Sequence, residues 1–249
     1  MHIIDINTAI GASSKAWRFT DEVSLISNMD DYRIGSAVAW HTRSQADPYE
    51  GNARMTKIAS ASGGRILPCL FLDSSLDDLG LPGTGSVQDR LRAANPSAVR
   101  VLQGAASHFC MNRFYAQDLL APLNGMRMPL IIDGDYSREF LFALPDMAAA
   151  YPDIPMILLR FGFNESRAVY PLLKHASNVY FDMSTMIDCG CIEEIVRKFG
   201  SDRLLFGSGL PHYVPAGPLG LLLYARISET DRENIAHANF ERLEGGILR

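Results

Sequence analysis

Short apolar and β-branched runs punctuate the chain from end to end. They fall at 2–6 (HIIDI), 35–40 (GSAVAW), 65–72 (RILPCLFL), 98–103 (AVRVLQ), 129–133 (PLIID), 155–159 (PMILL), 178–182 (NVYFD) and 203–207 (RLLFG). Their near-continuous apolarity, in place of strict alternation, predicts strands buried on both faces of a parallel sheet. The segments between them carry a helical period. Ile192, Ile195, Val196 and Phe199 fall at i, i+3, i+4 and i+7, and Val169, Leu172, Leu173 and Ala176 share a second face that Pro171 makes irregular. Two helix starts are marked by a side-chain oxygen with a carboxylate three residues on, at Ser86 with Asp89 and at Thr230 with Glu233. Eight strands, each followed by a helical stretch in 249 residues, predict a single-domain α/β chain, 1–249, folded as a (β/α)8 TIM barrel. An open doubly wound sheet is the alternative, but it usually brings a Gly-rich first turn, and AIGASS at 9–14 is not one.

Composition narrows the partners more than the fold. The hydrophobic share of 47% is ample for a buried core, and the formal net charge of -5 with scattered Lys and Arg gives no basic stripe for nucleic acid or an anionic membrane. No apolar run approaches a membrane span, and the N-terminus lacks the basic start and apolar stretch of a secretory leader, so a cytoplasmic protein is expected. Cys69, Cys110, Cys189 and Cys191 are too few and too irregular for a disulfide scaffold, and Cys189-Gly-Cys191 lacks the two-residue spacer of a zinc or redox pair. The aliphatic stretch 217–225 allows a homodimer contact, with core packing as its default role.

In a barrel of this kind the functional residues sit at the C-terminal strand ends and in the loops that follow. The tips read Asp5-Ile-Asn7-Thr-Ala9-Ile-Gly11 for strand 1, PLIIDG (129–134) for strand 5 and YPDIPMILLRFG (151–162) for strand 6. Strand 7 reads NVYFDMS (178–184), strand 8 SDRLLFGSGLP (201–211), and HANFERL (237–243) closes the chain. Together these tips resemble the amidohydrolase superfamily, in its amidohydrolase-related branch of metal-dependent barrel hydrolases and decarboxylases. The resemblance implies a divalent ion held by imidazoles and a carboxylate. Such an ion lowers the pKa of bound water by roughly 9 units and so makes the nucleophile. The framework matches, but the aligned ligand positions do not: Asn7 and Ala9 stand for the two strand 1 histidines, Asp133 and Arg160 for those of strands 5 and 6, and Gly209 for the strand 8 acid. A lone carboxylate beside a guanidinium is a poor cation site. No metal and no other cofactor is therefore expected.

What remains points to a small anion or carboxylate as partner. Arg160 can pair with Asp133 across the barrel or with a ligand carboxylate, and the two are compatible if they compete. Asp133 and His212 are the candidate acid/base groups. Asn7, Arg160, Ser208 and His108 are the candidate substrate contacts; Ser208 lacks a nucleophile elbow and an adjacent base. His41, Asn112 and Asp135 are weaker candidates. Asp182 and Ser184 are expected to bond neighbouring strand tips, Asp73, Asp77 and Asp78 to lie on a solvated loop, and 79–86 (LGLPGTGS) to arch over the mouth as a lid. Two functions follow: a metal-independent hydrolase or lyase acting on a small carboxylated substrate, or a non-catalytic binding or regulatory relative that keeps the shell.

Overall fold

A computed structural model describes all residues except 13–19, 105, 106, 108, 110, 135 and 162–165. Among the described residues eight strands form a parallel sheet in sequence order. They are β1 (Ile4–Ile10), β2 (Ser36–His41), β3 (Ile66–Phe71), β4 (Ala98–Gln103), β5 (Leu130–Gly134), β6 (Met156–Leu158), β7 (Val179–Asp182) and β8 (Leu204–Leu205). The last strand returns to the first: Ile6 N donates to Phe206 O and Ala9 N to Leu210 O, each at 3.0 Å, which completes the ring. Helices lie between the strands, so the fold is the expected (β/α)8 barrel.

Strand alternation divides the apolar residues into two cores. Ile4, Val38, Cys69, Ala98, Ile131 and Ile157 fill the barrel interior, while Val99, Val101, Leu130, Ile132, Leu158 and Phe181 face the helices. Helix α1 (Glu22–Asp31) buries Leu25 and Met29, and α2 (Pro48–Ala61) buries Met55 and Asn52. Helix α3 (Val87–Ala94) starts at the expected Ser86 and Asp89 capping box, with both reciprocal bonds present. The second expected start lies two residues earlier than Thr230. Ser228 is the cap, its hydroxyl accepting from Asp231 N, because Ser228 and Asp231 offer the same chemistry nearer the turn.

Segment 79–86, expected as a lid, is anchored at 79–81 and does not line the cavity. Leu79 and Leu81 are buried in the outer core, and Asn52 Nδ2 ties Gly80 O at 3.0 Å and Phe71 O at 2.8 Å. The two leucines supply the burial that a mobile flap would lack. In the 217–225 stretch Leu219 and Leu222 are buried, whereas Leu223 and Tyr224 face outward.

Two local departures from regular strand geometry shape the mouth. Between Asp5 and Thr8, β1 carries one extra residue against β2, a bulge that lets Ile6 pack inside the barrel while Asn7 also lines the cavity above it. At the end of β5, Gly134 has φ +138°, and a Cβ there would lie 1.8 Å from Gln103 O on the next strand. Gly134→Ala combines that clash with a backbone conformation L residues rarely adopt, and is expected to cost about 4 kcal/mol or more. Urea unfolding checks it; a loss below about 1 kcal/mol would show that the β5 tip tolerates a side chain.

Candidate functional site

The C-terminal mouth of the barrel holds a cavity of about 780 Å³. Its floor is built around Asp133. Oδ1 accepts from Arg160 Nη2 and Oδ2 from Arg100 Nη2, so one carboxylate is shared by two guanidiniums. The Asp133 and Arg100 side chains are 7% and 6% exposed, and that of Arg160 is 28% exposed. Burial alone would raise the Asp133 carboxyl, but the paired charges of Arg100 and Arg160 outweigh it and hold the group below its ordinary value. Two cations and one anion leave a single positive charge on this wall.

Arg100 sits in the middle of the apolar run of β4, and alternation turns it inward with Ala98. Its guanidinium lies over the Trp40 ring, 4.8 Å from the centroid, and Trp40 in turn stacks on Phe71 at 6.0 Å. Arg100 Nε is buried with no acceptor among the described residues, although the side chain lines the cavity. One wall is therefore aromatic and the adjoining wall cationic.

Arg160 follows β6 in a left-handed conformation, φ +55°. Plain alternation after the inward Leu159 would send it toward the helices; the left-handed turn brings it to the mouth instead. Its backbone is held there by Arg160 N to Asp182 Oδ1, 3.0 Å, and Leu159 N to Ile132 O, 3.1 Å. Asp182 is fully buried and takes several donors: Arg160 N and the Ser184 amide and hydroxyl on Oδ1, Asn7 Nδ2 at 2.8 Å and the Ser184 hydroxyl on Oδ2. Burial raises its pKa, and these hydrogen bonds pull the other way. Asp182 thus bonds the neighbouring tips of β6 and β1, as expected, whereas Ser184 bonds only Asp182 at the end of its own strand.

Asp5 lies deeper and is fully buried. Its Oδ1 accepts from Asn7 N at 3.1 Å and Ser208 N at 2.9 Å, while Oδ2 has no partner among the described residues. Burial is the main cause of a pKa raised to about 7; bonds from Ser208 and Asn7 oppose it and the Asp182 charge adds to it.

The remaining candidates separate clearly. Asn7, Asp133, Arg160 and His212 all line the cavity. Ser208 does not: it is fully buried, and its hydroxyl accepts from Leu210 N at 3.1 Å, so it organises the turn and cannot meet a ligand as expected. His41 Nδ1 caps Arg43 N, and Asn112 Oδ1 accepts from Phe114 N and Tyr115 N, both local turn roles. Asp73 lines the cavity while its Oδ1 holds Ser75, so it is more than a solvated loop residue. His108 and Asp135 lie outside the described residues. Arg100 was missed because the strand reading counted it as part of an apolar run; a charge at an inward position of AVRVLQ is the signal that it needs a buried partner.

A divalent ion does not fit these tips. Among the described residues no three His, Cys, Asp or Glu side chains stand together as a ligand set. Both Asp133 oxygens are committed to guanidiniums. At the strand 8 position Gly209 has φ +78°, and a Cβ there would meet Tyr213 Cδ2 at 2.6 Å, so an acidic side chain would have to displace that ring.

The amidohydrolase pattern Amidohydro_2 matches residues 123–243. The second half of this barrel is amidohydrolase-like. No curated protein matches the sequence. Among solved structures, 2,6-dihydroxybenzoate decarboxylase complexed with 2,6-dihydroxybenzoate superimposes with a TM-score of 0.78 at 12% identity, over 98% of this chain and 99% of that one. A dihydroxybenzoic acid decarboxylase from Polaromonas sp. JS666, with bound manganese and 2-nitroresorcinol, gives 0.77 at 13% identity, over 98% of this chain and 97% of the other. The 5-carboxyvanillate decarboxylase from Sphingomonas paucimobilis gives 0.75 at 9% identity, over 98% and 99%. At these identities the likeness is one of fold. The amidohydrolase-like half contains β5 to β8, hence Asp133, Arg160, Asp182 and Gly209, whereas Arg100 and Asn7 lie before it.

Asp5 makes stability depend on pH in a definite direction. A carboxyl raised in the folded state keeps a proton that the unfolded chain releases, so stability is fullest below the ordinary value of 3.8 and is lost as pH rises to about 7. The full shift corresponds to roughly 4 kcal/mol. Asp5→Asn keeps the accepting oxygen for Asn7 and Ser208, and is expected to gain on wild type between pH 5 and pH 8. Urea midpoints at both pH values check it; an unchanged difference between the two proteins would show that Asp5 does not titrate in that range.

Proposed function

We propose that the cavity binds a small carboxylated molecule, an aromatic acid in particular, at a centre that works without a metal ion. The carrying observation is the Arg100, Asp133 and Arg160 triad, which has one more cation than anion and stands beside the Trp40 and Phe71 wall. Arg160, the more exposed guanidinium, is the anchor for the ligand carboxylate. Asn7 and Arg100 line the same space. The decarboxylases of like fold act on carboxylated aromatic molecules by name, which is consistent with this reading.

In the catalytic reading the acid/base role falls to His212 at the mouth. Asp133 serves as a counter-ion, because a carboxylate with both oxygens in ion pairs and a lowered pKa is a weak base. A divergent hydrolase or lyase would then use His212 as acid/base on a ligand held by Arg160. The second reading, a binding or regulatory protein without catalysis, is favoured by the same commitment: Asp133 and Asp182 are both occupied in holding the tips. Homodimer formation through the outward Leu223 and Tyr224 is compatible with either reading.

Calorimetric titration with benzoate, and with benzamide as its neutral counterpart, tests the binding claim. Benzoate is expected to bind and benzamide to bind far less. Arg160→Ala should lose a charge-assisted contact of about 1.5 to 3 kcal/mol, or roughly 10-fold or more in affinity. Equal binding of the two probes, or benzoate affinity unchanged in Arg160→Ala, would reject the anion anchor.

A further inference from the structure

We propose that Tyr136 is a positioning residue for Arg160, and that its hydroxyl sets the direction in which the guanidinium enters the cavity. This inference rests on the anion-anchor reading for its functional meaning, though its geometry stands apart from it. The Tyr136 hydroxyl shares its one proton between two carbonyls, Leu159 O at 2.5 Å and Ile132 O at 3.0 Å, with the shorter contact to Leu159 dominant. These are the peptide units immediately before Asp133 and Arg160, the two partners across the mouth. Ile132 O also accepts from Leu159 N, so a single carbonyl, a single hydroxyl and the Leu159 peptide lock the β5 and β6 tips together.

The lock matters because Arg160 has a backbone conformation that it would not adopt by itself. A non-glycine residue at φ +55° persists only where its surroundings hold it. Leu159 is fixed on its carbonyl side by Tyr136 and Arg160 on its amide side by Asp182. β6 ends at Leu158, so no strand pairing holds this peptide in place of those contacts. The Tyr136 ring is fixed in turn by Phe161, at 5.0 Å edge-on, and by Phe140 at 5.6 Å. The hydroxyl cannot be replaced by packing alone, since the bonds it makes are to buried backbone acceptors.

Tyr136→Phe keeps the ring and removes the lock. Arginine Nε–H signals of ¹⁵N-labelled protein read the result without any ligand, with Arg160 and Arg100 assigned by their loss in Arg160→Lys and Arg100→Lys. In wild type the Arg160 signal is expected to stand apart from that of free arginine. In Tyr136→Phe it should move to the free position with at least 10-fold faster solvent exchange, while the Arg100 signal stays in place. Benzoate affinity should fall about 10-fold in the same variant. A purely structural tyrosine would lower the unfolding midpoint and leave the Arg160 signal unmoved, and that result overturns the proposal. If Tyr136→Phe does not fold, Phe161→Leu loosens the same ring and should shift the Arg160 signal in smaller measure; no shift there also overturns it. Failure of wild type to bind benzoate would reject the anchor reading, while the Arg160 signal would still decide the positioning role.

Discussion

One carboxylate shared by two guanidiniums governs the mouth of this barrel. Taking Asp133 and Arg100 out of water, and Arg160 in part, costs several kcal/mol for each buried ion, a cost offset because Asp133 meets one arginine on each oxygen. Arg100 approaches from inside the barrel and Arg160 from the rim, so the triad spans the depth of the cavity floor. Its charge is odd by construction. That excess of positive charge, in a space walled on one side by Trp40 and Phe71, is the basis of the anion-binding proposal.

The triad depends on the strand tips being held to each other by groups that never touch the cavity centre. Asp182 connects β7 to Asn7 on β1 and to the Arg160 amide, and Asp5 connects β1 to Ser208 after β8. A ring of parallel strands has no hairpins to fix the relative height of its tips, so side-chain bonds of this kind do so. The same tips offer a divalent ion few ligands. Gly209 turns with positive φ under Tyr213, and Asp133 has no oxygen left for a metal. The guanidiniums that make the floor cationic are the same groups that occupy both Asp133 oxygens.

The barrel was legible because burial on both faces imposes apolar runs, and eight of them survive in the sequence. The lining of the cavity was legible where it falls at strand ends: Asn7, Asp133 and Arg160 lie at tips that the periodicity locates. Arg100 escaped because the same apolar-run criterion absorbs a single charge, and only the pairing geometry shows that its side chain reaches Asp133. Ser208 was misplaced for the converse reason. It occupies a tip in sequence, but the turn after β8 points its hydroxyl at Leu210 N, a matter of backbone direction that residue type does not encode. The 79–86 segment reads as flexible from its glycines, and two buried leucines with the Asn52 bonds decide otherwise.

The central claim is that the charge left over on the triad recruits a carboxylate to Arg160. Crystals soaked with 4-bromobenzoate test it most directly, because the bromine is located by its anomalous signal and fixes the ligand's orientation. The account predicts one bromobenzoate in the cavity, its carboxylate within hydrogen-bond distance of the Arg160 guanidinium and the Arg100 to Asp133 pair intact. A bromine signal absent from the cavity, or a ligand whose carboxylate points to solvent away from Arg160, would contradict it.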